Sequence, residues 1–138
     1  MKRKTKLPCN WRSRLVLIKE IEDKETNYCL EFKKGKTPKG FHRWVADFYI
    51  DNTGYIHSNV NDYFQNRGLG TQCYRTILHD VGSLKTTFHS ASDQAKSVWR
   101  KLIKIYPYET NFWDNYLMVI SDSEFQGIPI IVKDLSWQ

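Results

Sequence analysis

The chain has 138 residues, 41 % of them hydrophobic, and carries 21 Lys and Arg against 15 Asp and Glu, a formal charge of +6. That length can bury a core without disulfides or metals, and three widely spaced cysteines, Cys9, Cys29 and Cys73, argue against a disulfide framework and fit a reducing compartment. No apolar run is long enough to cross a bilayer and no signal-peptide core follows the basic N-terminus, so a cytoplasmic protein is expected, while the charge suits a small anion, nucleic acid or an acidic partner equally.

Residues 1–14 are a basic lead-in, expected to be irregular and solvated, and one domain is expected over 15–138. The β-branched run 15–21 predicts a buried strand, and 28–32 alternates like its neighbour, giving a first hairpin. Residues 33–40 hold Gly35, Pro38, Gly40 and four lysines, a loop that breaks any regular element. Next, 43–50 alternates between Trp44, Ala46, Phe48, Ile50 and a mixed set, and Asp51-Asn-Thr-Gly54 turns into a strand over 54–60. These two strands are expected at the antiparallel centre of the sheet.

A helix is predicted over 69–81 from Leu69, Cys73, Ile77 and Val81 at helical spacing. A strand follows at 84–88, then a helix over 94–105 through Ala95, Val98, Leu102 and Ile105, with Ser92 or Asp93 as its N-cap. Tyr106-Pro107-Tyr108 ends that helix, and 116–120 and 128–132 read as closing strands. His42, His57, His79 and His89 lack the spacing of a zinc site, and no structural metal is expected.

The strand-to-helix junction Val60-Asn-Asp-Tyr-Phe-Gln-Asn-Arg-Gly-Leu-Gly-Thr71 is the most specific stretch. Gly68 and Gly70 permit a sharp turn and let an anion, most naturally a phosphate, approach helix amides that lack intrahelical partners. Gln65-x-x-Gly68-x-Gly70 resembles motif A of the GCN5-related N-acetyltransferases, and Ser92, Ala95, Trp99 and Leu102, after a strand, resemble its motif B. The two segments span 54–102. The resemblance implies an α/β fold in one domain: a mixed, mostly antiparallel sheet with splayed central strands and flanking helices. The helical region usual between the first two strands is reduced here, since 22–27 is too short for it.

The resemblance further implies acetyl-CoA as acyl donor and an amine of a protein, small molecule or nucleic acid as acceptor. Coenzyme contacts then fall to Ser58, Asn59 and Val60 on the strand, to Gln65, Asn66, Arg67, Gly68, Leu69, Gly70 and Thr71 in the loop, and to Ser92. Trp99 stands where many members carry the tyrosine that protonates the leaving sulfur, and indole cannot act as that acid. Tyr106 or Tyr108 is the expected substitute, and His57 or His89 the candidate general base, although ordinary histidines are commoner than catalytic ones. The alternative is a degenerate acetyltransferase-like module that binds nucleic acid or protein without catalysis, or an enzyme of this kind that modifies nucleic acid. No membrane association is expected, and the oligomeric state is open, a homodimer included.

Overall fold

The computed structural model describes residues 7–65, 67–87, 91–111, 113, 115–121 and 124–134. The first hairpin forms as its alternation predicts: β1 (Leu15–Glu22) and β2 (Glu25–Phe32) pair antiparallel from Leu15↔Phe32 to Glu22↔Glu25. Only Asp23 and Lys24 separate them, Asp23 taking a left-handed φ of 53°. No helix intervenes. β3 (Trp44–Ile50) adds antiparallel to β2 with an irregularity at Leu30/Glu31 that lets Val45 as well as Ala46 be buried.

β4 (Ile56–Val60) pairs with β3, and here the expected central position is corrected: β4 is an edge of its five-stranded sheet, ordered β4-β3-β2-β1-β8. β8 (Ile130–Asp134) lies parallel to β1, so the chain's last strand returns beside its first. A second, three-stranded antiparallel sheet is ordered β5-β7-β6, from β5 (Ser83–Thr87), β6 (Tyr108–Asn111) and β7 (Tyr116–Ile120). The closing strands therefore belong to different sheets. β6 was not expected, because its Tyr-Glu-Thr-Asn sequence lacks apolar alternation; as an exposed edge it needs none.

Among the described residues two α-helices cover the sheets. α1 (Leu69–Val81) and α2 (Asp93–Ile105) match their periodicities, and Ser92 is the N-cap of α2, its hydroxyl accepting from the Ala95 amide at 3.2 Å. α1 buries Leu69, Cys73, Ile77 and Leu78, while Val81 at its last turn is exposed. The architecture is thus mixed α/β with mostly antiparallel pairing, and no described helix is long and apolar enough to cross a membrane.

Three polar ties hold the layers in register. Tyr28, fully buried on β2, donates its hydroxyl to Asp80 of α1, which also meets Lys19 at 2.7 Å. Burial, then the bond and the charge of Asp80, push the Tyr28 phenol well above its usual range. Thr76 of α1 donates to the Gln72 carbonyl and accepts from the Ile128 amide, which aligns the approach to β8. The lead-in is also corrected: Trp11–Arg14 forms a 3-10 turn, and Trp11 enters the core against Phe64, ring centroids 5.6 Å apart.

Candidate functional site

β4 and β5 run parallel and share one isolated bridge, Tyr55↔Lys85, with Lys85 N donating to the Gly54 carbonyl. Beyond that bridge they separate. Asn61 N bonds Val45 O on β3, so by the alternation of strand backbone Asn59 also faces β3, whereas Ser58 and Val60 direct N–H and C=O away from it, into the gap. All three strand residues, Ser58, Asn59 and Val60, line a cavity there, Ser58 and Val60 with backbone groups turned into the gap.

The gap deepens into two adjoining cavities that share Ser58, Tyr74, Ser92 and Ala95. One, of about 190 Å³, runs under the α1 N-terminus past Val60, Gln65, Gly68, Gly70 and Thr71. The other, of about 440 Å³, opens between β4 and the end of β5 past His57, Thr86 and Thr87. At the first, Gly68 is the N-cap of α1 with φ 79° and makes no side-chain cap, and the first turn carries no acidic residue among the described residues. Gly70 plays a different part. A Cβ there would stand 3.2 Å from Val98 Cγ2, so this glycine sets how closely α1 approaches α2.

Most of the residues singled out from sequence converge on this cleft, with instructive exceptions. Gln65 spans its mouth, Nε2 donating to the Val60 carbonyl at 3.2 Å and Oε1 accepting from Gln94 of α2. Leu69 is buried beneath the loop, and Arg67 turns outward with its guanidinium 4.5 Å over the Tyr63 ring. Ser92 lines both cavities, but its hydroxyl is engaged as the α2 cap. Asn66 and His89 lie outside the described residues.

The two tyrosines expected to supply a proton are not at the cleft. Tyr106 is buried with its hydroxyl between Arg75 Nε (2.9 Å) and His79 Nε2 (2.8 Å). At about 100° per residue, that pair stands on a different face of α1 from Gly70 and Tyr74. Tyr108 is on the outer strand β6, separated from β5 by β7 and 52 % exposed.

Tyr74, which sequence reasoning passed over, is the phenol that lines both cavities, and its hydroxyl donates to Ser58 Oγ at 3.1 Å. It is held edge-on between Phe48 and Trp99, centroids 5.8 Å from each. Burial raises its pKa, the Ser58 bond opposing and Cys73 adding, so the phenol keeps its proton at neutral pH. The signal was present: Tyr74 is four residues beyond Gly70, one turn below it on the same helical face. Trp99 is buried, and its indole N–H has no hydrogen-bond partner among the described residues.

His57 sits at the rim, 61 % exposed at the side chain, with Nε2 3.2 Å from Asp51 Oδ2. Burial pushes the Asp51 carboxyl up, but hydrogen bonds from Thr53, His57 and Tyr55 outweigh it and hold the pKa at about 2. An ionised Asp51 is thus fixed in the turn and orients the imidazole. Compared with protein-family models, curated proteins and solved structures, the chain matches none.

Proposed function

We propose that the chain is an acetyl-CoA-dependent N-acetyltransferase. The observation that carries this reading is the divergence of β4 and β5 after one bridge, over an α1 N-terminus opened by a left-handed Gly68. The residues present fit the coenzyme: first-turn amides with no side-chain cap suit a pyrophosphate, and the strand groups of Ser58 and the Val60 amide suit an extended amide-bearing arm, the Val60 carbonyl being shared with Gln65. Bound there, acetyl-CoA supplies an activated acetyl thioester for transfer to an amine.

The chain's own contribution is placement and proton control. Strand amides directed into the gap hold and polarise an acyl oxygen. Tyr74 keeps a proton at its phenol oxygen inside the cleft, the part the resembled family gives to a tyrosine at the Trp99 position. His57, oriented by Asp51, accepts a proton at the rim. An ordinary thiol titrates near 8.5, so the leaving sulfur needs only modest assistance, worth ~10²- to 10⁴-fold.

The test has two parts. Acetyl-CoA should raise the unfolding temperature by mass action, and no shift at millimolar ligand ends this reading. Tyr74→Phe should retain acetyl-CoA binding and slow transfer to a panel of amines by about 10²-fold or more. Binding without transfer by the parent chain would instead favour the second reading, a binding module that has lost catalysis, for which the buried indole of Trp99 speaks.

A further inference from the structure

We infer that the face formed by the 3-10 turn, loop 33–40 and the segment before α1 is a docking surface for single-stranded nucleic acid. Three separate stretches are fastened into one surface. Arg12 Nη2 donates to the Arg67 carbonyl at 2.8 Å, Arg14 Nη1 to Lys36 O at 3.4 Å, and Lys33 to Arg14 O and Ser13 O. Phe41 packs edge-on against Tyr63 at 5.0 Å, closing the patch.

The charge of this surface is one-sided. Residues 11–14, 33–41 and 61–68 contain two arginines of the turn, four lysines of the loop and Arg67, against a single acid, Asp62. Among the described residues none of these seven cations lies within ion-pair distance of a carboxylate, whereas Arg43 beside them is paired with Glu31. Six are exposed, Arg14 being half-buried. The sequence just upstream adds Lys2, Arg3, Lys4 and Lys6. Carboxylates gather elsewhere: Glu20, Glu31 and Asp47 surround Cys29 on the sheet. A polyanion is therefore attracted to this face; α2 carries a second basic set, Lys96, Arg100, Lys101 and Lys104, but without an exposed aromatic ring among them.

The aromatic groups choose among polyanions. The guanidinium of Arg67 lies 4.5 Å over Tyr63, itself 42 % exposed, and that of Arg12 lies 4.3 Å over Trp11. The exposed ring of Tyr63 under the Arg67 guanidinium, with lysines nearby, offers a stacking platform for an unpaired base, while Trp11 is buried and presents only the Arg12 guanidinium lying on it. Carboxylate side chains bring charge without an aromatic face beside each charge, and a duplex hides its bases. The surface ends at Gly68, on the lip of the cleft. It depends on neither coenzyme binding nor acyl transfer.

Fluorescence anisotropy with short labelled RNA and DNA single strands, and with the matching duplex, tests this between about 50 and 200 mM salt. The parent should bind either single strand more tightly than the duplex, with affinity falling steeply with salt. The variant Lys33→Ala/Lys34→Ala/Lys36→Ala should flatten the logarithmic salt slope by about 2, from ~0.7 per phosphate contact. Tyr63→Ala should weaken single-strand binding about 5- to 150-fold without changing the slope. The charge-matched variant Lys96→Ala/Arg100→Ala/Lys104→Ala on α2 should bind like the parent. Circular dichroism confirms that each variant folds, and the exposed lysine variant keeps the test valid if Tyr63→Ala does not. Equal loss in the α2 variant, unchanged binding in the loop variant, duplex binding as tight as single-strand, or displacement by polyglutamate at equal charge overturns the assignment.

Discussion

The two glycines of the loop differ in what they do, and substitution separates them. Gly68 needs its left-handed φ of 79°, yet a Cβ there would meet nothing within 4 Å. Gly68→Ala should cost about 1–2 kcal/mol through backbone strain, without parting the two helices. Gly70 is not left-handed, but a Cβ there would stand 3.2 Å from Val98 Cγ2, so Gly70→Glu should lose stability as helices α1 and α2 part, and lose coenzyme affinity as its charge enters the proposed phosphate site. Calorimetric titration beside thermal unfolding reads both. A folded Gly70→Glu protein that binds acetyl-CoA like the parent refutes the phosphate-loop assignment. Tyr74 carries the same lesson about residues: its phenol matters because of where the fold puts it, bonded to Ser58 at the junction of two cavities.

At the scale of elements, the turn between β3 and β4 is held by one carboxylate. Asp51 accepts from the amides of Thr53 and Tyr55, from Thr53 Oγ1, and meets His57. Its folded pKa of about 2 is below the unbound 3.8, so the charged form favours the folded state. That contribution is fully present above about pH 4 and is lost as pH falls toward 2. Asp51→Asn should therefore lower the urea midpoint near neutral pH, and the gap from the parent should shrink through the acid range. A gap that stays constant with pH would show that shape rather than charge holds the turn. The same element supports the rim of the cleft, since Asp51 both caps the turn and orients His57.

At the scale of the whole molecule, the fold closes by returning its last strand to its first. β8 pairs parallel with β1 across Leu17↔Ile130 to Ile21↔Asp134, and the approach passes over Thr76. Gly127 leaves no room for a side chain against that threonine. Thr76→Val keeps the shape but leaves the Ile128 amide without its acceptor, which should cost about 1–3 kcal/mol. Hydrogen exchange should show the loss as earlier opening of β8 and β1, while β5–β7 keeps its protection. A stability change under about 0.5 kcal/mol would mean water or another group takes over the amide.

The local periodicities of the sequence by themselves determined the hairpin of β1 and β2, the helices α1 and α2, an N-cap at Ser92 or Asp93 and the glycine junction before α1, the structure deciding for Ser92. These are set by side-chain alternation, capping and turn chemistry within a few residues, which any window of the chain displays. The loop glycines were legible as a turn for the same reason, whereas Ser58, Asn59 and Val60 were singled out only through the family resemblance. What lay beyond that reach were pairings between distant segments: β4 as an edge, β8 beside β1, Trp11 in the core, and the cleft's phenol at Tyr74 instead of Tyr106 or Tyr108. Tyr74 and Tyr106 are both buried; the spacing from Gly70 places Tyr74 on the loop's face of α1, but spacing alone does not reveal a cavity there. Only the separation of β4 from β5, a property of two sheets meeting through one bridge, decides which of them faces a cavity and which is tied to Arg75 and His79.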